Sequence, residues 1–148
     1  MRSLFRSIGI AFGVLMFAGV QNASAQIIDP VEFTTSFAFT VGNATVPAGS
    51  YTIRPDDDNP QVFELMGKNA SALFQVQTAD AREVPSKTEV VFSRYGNTYV
   101  LKSIWVEGSP SGVETVSGEG ERHAAKATGT KAEQRVAARR KSGTGHGQ

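Results

Sequence analysis

The sequence contains no cysteine, and this absence removes several ways of stabilising or anchoring a small protein. No disulfide can form, no zinc site can use thiolate ligands, and no lipid can be attached to a cysteine. The chain has 148 residues, of which 40% are hydrophobic and nine are phenylalanines. A single domain of this size must draw its stability from an apolar core, and we expect phenylalanine to be prominent in it.

The sequence also lacks an apolar run long enough to span a bilayer. The longest run, residues 8–20, is uncharged over about 13 residues, and a helix of that length covers roughly 20 Å of a hydrocarbon core about 30 Å thick. Arg2 and Arg6 precede this run with positive charge. A short apolar segment after a basic start is typical of a signal peptide.

A cleavage site follows the apolar run. Ala23 and Ala25 form the small-x-small pattern of such a site, so residues 1–25 are predicted to be a signal peptide that is removed before Gln26. We therefore expect an exported protein, either periplasmic or extracellular, with no membrane anchor after cleavage.

Histidine is scarce, which weighs against nucleophilic catalysis. The two histidines, His123 and His146, both lie in the C-terminal region, whereas a general base must lie within hydrogen-bonding reach of its nucleophile. Residues 108–112 have Pro110 where a G-x-S-x-G motif requires serine. The glutamates at 64, 89 and 107 could cleave a glycoside only if the fold placed two of them across a cleft. The sequence therefore predicts no enzyme, no catalytic residue and no cofactor.

Alternating side chains predict that the body of the chain is β-structure. Over residues 31–41 one face carries Val31, Phe33, Thr35, Phe37, Phe39 and Val41. Further strands are predicted at 50–54, 62–66, 72–78, 88–95 and 98–106. Turn residues separate them and no helical segment intervenes. Residues 26–108 are therefore predicted to form an all-β, antiparallel sandwich or small barrel, and the pattern does not distinguish between these two architectures.

The strongest hairpin signal is Gly96-Asn97, which lies between two predicted strands and suits a type II′ turn. Counting outward from this turn places Phe92 opposite Leu101 and Thr88 opposite Trp105. In that register Trp105 shares a face with Phe92 and Leu101, so a core position is predicted for it.

Composition changes after Gly108. Residues 26–113 carry six Lys/Arg and ten Asp/Glu, a net charge of −4, whereas residues 114–148 carry seven and four, a net charge of +3. Residues 109–148 are predicted to be a flexible, mostly disordered basic tail with a short helix at 131–141, where Thr130 and Glu133 form a capping-box pattern.

The tail provides candidate contacts for an anionic surface. These are Arg135, Arg139, Arg140 and Lys141. Nucleic acid is not expected as a partner, because residues 107–148 contain no aromatic side chain on which a base could stack.

The densest acidic segment is Asp-Asp-Asp-Asn at residues 56–59. A calcium loop alternates its ligands and needs a glycine-enabled turn, whereas consecutive acids diverge in an extended loop. We expect a solvated turn between Pro55 and Pro60, and no metal site.

Three segments carry a resemblance to a known group of proteins. They are FAFTVGN at residues 37–43, PAGSY at 47–51 and SKTEVVFSRYG at 86–96. The chain resembles small exported bacterial β-domain proteins of unknown function, over roughly residues 33–107. The resemblance implies an exported, single β-domain, and it implies no activity and no site residue.

Two functional hypotheses from different classes follow. The first is a non-enzymatic module that acts through its surface, as a structural or interaction protein, on another envelope or extracellular component. The alternative is a small barrel that binds an apolar or saccharide ligand in its interior, lined by Phe37, Phe39, Phe92 and Trp105. A filled interior favours the first hypothesis, and an interior pocket of about 300 Å³ or more favours the second. An exported hydrolase has the least support.

Overall fold

The computed structural model of the protein describes residues 29–141. The predicted signal peptide, with its cleavage site, lies outside these residues, and so do residues 142–148. The described part of the chain is mostly β-structure and contains one helix. In chain order the elements are β1 (Val31–Thr35), β2 (Phe39–Val41), β3 (Ala44–Val46), β4 (Gly49–Pro55), β5 (Val62–Gly67), β6 (Ser71–Asp80), β7 (Glu89–Tyr95), β8 (Thr98–Trp105), β9 (Ser111–Thr115), α1 (Glu119–Thr128) and β10 (Ala132–Arg140).

Eight of the strands close into an antiparallel barrel. Their order around the barrel is β8, β7, β10, β1, β4, β5, β6 and β9. The ring closes because β9 pairs with β6 on one side and with β8 on the other, where Ser103 faces Glu114 and Ile104 faces Val113. The all-β prediction is confirmed, and the pairing decides for a barrel over a sandwich.

The β2–β3 hairpin completes the wall at one end of the barrel. β2 runs parallel to the first half of β8 and pairs with it at Thr40 and Val100, whereas β9 pairs only with the second half of β8. Gly42 makes the hairpin turn with φ of +57°, and a Cβ atom there would lie 3.3 Å from the carbonyl oxygen of Leu73 in β6. The hairpin therefore lies between β8 and β6, where β9 is absent.

The alternation predicted over residues 31–41 is confirmed. Val31, Phe33 and Thr35 of β1 are buried, as are Phe39 and Val41 of β2. The chain bends between the two strands, so one predicted strand becomes two. The other strands contribute further core side chains, among them Tyr51, Ile53, Phe63, Leu65, Phe74, Val90, Phe92, Leu101 and Ile104. Aromatic and branched side chains from all sides thus fill the barrel, as the lack of disulfides requires.

The β7–β8 hairpin has the predicted turn. Gly96 has φ of +60°. Asn97 has negative φ, since no residue other than glycine has positive φ within residues 29–141. This combination is the one that a type II′ turn requires. Phe92 pairs with Leu101 as predicted.

Beyond that pair the register shifts by one residue. β8 holds an extra residue, Lys102, so Val91 pairs with Ser103, and Glu89 instead of Thr88 pairs with Trp105. This β-bulge reverses the faces of the residues that follow it. Ile104 packs in the core, whereas Trp105 does not belong to the core cluster, so the predicted core position of Trp105 is wrong.

The prediction for residues 109–141 is also wrong, because this segment is part of the fold. It forms β9, α1 and β10, so the domain extends past the predicted boundary at residue 108. The predicted helix at 131–141 is the strand β10, and the helix of this segment lies earlier, at Glu119–Thr128.

Long-range pairing explains why β10 is a strand. It fills the gap between β7 and β1, pairing with β7 over residues 132–137 and with β1 over residues 138–140. An isolated helix of this length would be marginal in water, whereas the strand gains two neighbours with unpaired backbone groups. Val136 and Ala138 of β10 also pack against the core.

Candidate functional site: the Trp105 cleft

The phenylalanines predicted to line an interior ligand site pack against one another. The ring of Phe92 lies 5.0 Å from that of Phe39 and 5.2 Å from that of Phe37, centroid to centroid. Phe33 adds a fourth ring, 6.1 Å from Phe92. Rings at these separations are in contact, so no ligand-sized space remains between them. The fold brings three of the four predicted lining residues together as core, and Trp105 lies apart from them.

Trp105 instead lines a cleft of about 680 Å³ on the outer face of the barrel, which we call the Trp105 cleft. Val91 and Ser103 also line it, and each is only 1% exposed, so they form its floor. Asp80 at the end of β6 and the loop residues 81–87 that follow it form one wall. The other lining side chains are charged and come from β7, β8, β9 and β10: Glu89, Lys102, Glu114, Glu133 and Arg135.

Strand register explains how these residues meet. The floor is one row across the sheet, in which Arg135 pairs with Val91, Val91 with Ser103, and Ser103 with Glu114. Residues paired in this way point to the same face of a sheet. Because of the bulge at Lys102, Trp105 points to the outer face together with Ser103. The sequence does not reveal this row, since β10 was predicted to be helical and the bulge has no clear signature.

The indole of Trp105 is held from two sides. Its Nε1–H donates to Ser103 Oγ at 2.9 Å. A Cβ atom on Gly112 would lie 2.5 Å from Cε3 of the ring, so the ring covers a position that only glycine can occupy. Trp105 is thus a fixed aromatic surface in the cleft.

Glu89 places a nearly buried carboxylate at the edge of the cleft, with 6% of the residue exposed. The Arg135 guanidinium donates to Glu89 Oε1, and Lys87 Nζ lies 3.8 Å from Glu89 Oε2. The hydrogen bond with Glu89 raises the pKa of Arg135. This cation compensates the buried negative charge, which would otherwise be costly.

Glu133 extends the same network across β10. Lys102 Nζ donates to Glu133 Oε1 at 2.5 Å, and Arg135 donates to Glu133 Oε2 at 3.3 Å. The hydrogen bond from Lys102 holds the pKa of Glu133 below its ordinary value. Lys102 and Arg135 are therefore each paired with an acid that lines the same cleft.

Three acids of the cleft, Asp80, Glu83 and Glu114, differ from Glu89 and Glu133. Within residues 29–141 their carboxylates have no hydrogen-bond or ion-pair partner, although Glu114 faces Ser103 across the β8–β9 pairing. They are available as hydrogen-bond acceptors at the cleft surface.

The loop wall is anchored to the β8–β9 connection. Ala81 N–H donates to the carbonyl oxygen of Pro110 at 2.9 Å, and Gly108 N–H donates to that of Pro85 at 2.9 Å. Two backbone hydrogen bonds therefore hold the loop beside Trp105, and the cleft is formed before any ligand arrives.

The basic residues predicted to contact an anionic surface are all in β10 or just after it, and each has an acidic partner. Arg139 and Lys141 pair with Glu32, at 3.0 and 3.3 Å, and Arg140 lies 3.6 Å from Asp29. The hydrogen bonds that Glu32 accepts, first from Lys141 and then from Arg139, lower its pKa. The four cations thus contribute to the attachment of β10 to β1 and β7.

The acidic segment at 56–59 forms a hydrogen-bonded turn. Asp56 Oδ1 accepts from the backbone N–H groups of Asp58 and Asn59, each at 3.0 Å. No group of three or more His, Asp or Glu side chains within residues 29–141 is arranged to hold a metal ion.

Within the same residues, no helix combines the length and the apolar character needed to cross a membrane. Comparisons of the chain with protein-family models, with curated proteins and with solved structures give no match. The assignment of a function therefore rests on the geometry of the barrel and its cleft.

Proposed function

We propose that this protein is an exported, non-catalytic β-barrel that acts as an interaction module through its outer surface. The observation that carries the proposal is the packing of Phe33, Phe39 and Phe92 inside the barrel, with the partly buried Phe37 against Phe92. A ligand-binding barrel needs an interior cavity, whereas these rings occupy the interior themselves.

The outer face supports the same conclusion. It offers a concave surface of about 680 Å³, a size that falls within the range of binding clefts, and an aromatic side chain lines it. Export is supported by the pattern of residues 1–25, with a basic start, a short apolar run and a small-residue cleavage motif.

Expression of the full chain in a bacterial host, followed by fractionation and N-terminal sequencing, tests export. We expect the protein in the periplasm or medium, beginning at Gln26. A chain that stays in the cytoplasm with an intact N-terminus would count against export.

Co-sedimentation tests the interaction. The exported protein is incubated with insoluble cell-wall polymer and, separately, with phospholipid vesicles, and the pellet is quantified. We expect retention by the polymer, and no change in the polymer's size distribution after incubation. Retention by neither material, together with uptake of a fluorescent apolar probe by the folded protein, would instead favour the interior-binding alternative.

A further inference from the structure

We infer that the Trp105 cleft binds an uncharged saccharide, which stacks on the indole and forms hydrogen bonds with the surrounding polar side chains. The inference rests on the proposed function, since it names the class of partner that an outward-acting barrel would bind.

The first argument is the aromatic platform. The indole is fixed by its hydrogen bond to Ser103 and by its packing over Gly112, and it lines the cleft. A rigid, half-buried indole offers apolar area to a ligand at little cost in side-chain entropy. A sugar ring presents C–H groups on one face and hydroxyl groups at its rim, and so it can cover the indole while its rim remains polar.

The second argument is the arrangement of polar groups around the ring. Lys102 and Arg135 carry N–H donors, and Glu114 and Glu133 carry acceptor oxygens, all lining the same cleft. Hydroxyl groups both donate and accept, so they match a surface that mixes the two kinds of group.

The third argument is charge. The cleft is lined by five acidic and four basic residues, so its net charge is close to zero. The strand-borne cations Lys102 and Arg135 are held by Glu89 and Glu133, so an anionic ligand would have to break these contacts. Such a surface favours a neutral ligand.

The unpaired acids Asp80, Glu83 and Glu114 raise the main alternative, a cationic ligand such as an amino sugar or a basic peptide. Asp80 and Glu83 are exposed and contribute little in water. The loop cations Arg82 and Lys87 line the same cleft and offset the charge of these acids. The observations therefore favour the neutral saccharide, and the cationic ligand becomes an outcome of the test.

The chain contains a single tryptophan, so intrinsic fluorescence reports directly on this cleft. The exported protein is titrated with three hexasaccharides of N-acetylglucosamine, of glucosamine and of galacturonic acid, which are neutral, cationic and anionic. We expect a saturable change in emission with the neutral oligomer, and an affinity that changes little between low and high salt.

Calorimetry on variants locates the binding. Trp105→Ala should weaken binding of the neutral oligomer by about tenfold or more, since it removes the stacking surface. Trp105→Phe, which keeps a smaller ring in case the alanine variant folds poorly, should lose less. Leu73→Ala, an exposed apolar residue outside the cleft, is the matched control and should bind as the parent does.

Glu114→Gln separates the two ligand classes. It keeps a hydrogen-bond acceptor and removes the charge, so binding of the neutral oligomer should persist. Binding of the cationic oligomer alone, with its loss in Glu114→Gln, would overturn the inference in favour of a basic ligand. A lack of response to all three oligomers would overturn the inference that the ligand is a saccharide. If the protein is still retained on cell-wall polymer in that case, the proposed interaction function stands although the inference about the cleft fails.

Discussion

The indole of Trp105 lies so close to the backbone of Gly112 that a Cβ atom on residue 112 would be 2.5 Å from Cε3 of the ring. The same Cβ atom would lie 2.6 Å from the carbonyl oxygen of Ile104, which is part of the sheet. Gly112 therefore determines the position of the aromatic surface, because neither the ring nor the strand has room to accommodate a side chain.

Gly112→Ala should lower the free energy of unfolding by about 1–3 kcal/mol, because the added methyl group overpacks the β8–β9 pairing. Urea denaturation measures this change. Gly120→Ala is the control, since a Cβ atom there lies 3.5 Å from Thr40 Cγ2, an ordinary contact, and alanine favours the helix. Equal stabilities for the two variants would contradict the account of Gly112.

Arg135→Ala should destabilise the protein by about 1–3 kcal/mol, because it leaves the nearly buried carboxylate of Glu89 with only the distant Lys87. The double variant Arg135→Ala with Glu89→Gln should recover part of this loss, since it also removes the buried charge. Arg139→Ala is the control at an exposed ion pair and should change stability little. A loss in the double variant equal to the sum of the single losses would show that the two residues are not coupled.

Acidification should destabilise the barrel through Glu32 and Glu133. The basic groups beside them lower the pKa of both carboxylates below the ordinary value of 4.5. The unfolded chain therefore binds protons first as the pH falls. The stabilisation is present above that value and is lost as the pH falls through the lowered pKa values of the folded state.

Thermal unfolding from pH 7 down to pH 3 measures this effect. The variants Glu32→Gln and Glu133→Gln should each lose less stability over the acidic range. Glutamine at either position takes up no proton, so that part of the pH dependence is removed. An identical pH profile in the parent and in both variants would assign the acid sensitivity to other groups.

Removal of residues 129–148 should abolish cooperative unfolding, because it deletes β10. The edges of β1 and β7 would then lose their backbone partners, and Val31, Phe33 and Phe92 would gain access to water. Calorimetry and binding of a hydrophobic dye report this outcome. Removal of residues 142–148 alone keeps every strand described within residues 29–141 and should preserve the melting transition. A cooperative transition in the longer deletion would mean that β10 is dispensable.

Much of the barrel can be predicted from local pattern. The alternation of Val31, Phe33 and Thr35, and the glycine turn at residue 96, depend on neighbouring residues and steric rules that hold in any context. The same alternation and turn residues predict the strands β4 to β8.

The candidate site could not be predicted in this way. The outward orientation of Trp105 depends on one extra residue in β8, Lys102. Counting outward from the turn gives the correct partners as far as Phe92 and Leu101, and it gives wrong partners beyond Lys102. Lys102, Glu114 and Glu133 are far apart in sequence, and only barrel closure brings them to one face.

The sequence by itself determined that the protein has no disulfides, that its body consists of antiparallel strands, and that phenylalanines form its core. Each of these follows from composition or from period-two patterning, which local physics enforces. The tertiary structure decided that residues 132–140 form the closing strand and that Trp105 faces outward. Both depend on backbone partners distant in sequence, since an alanine- and arginine-rich segment becomes a strand only where two strand edges need hydrogen bonds.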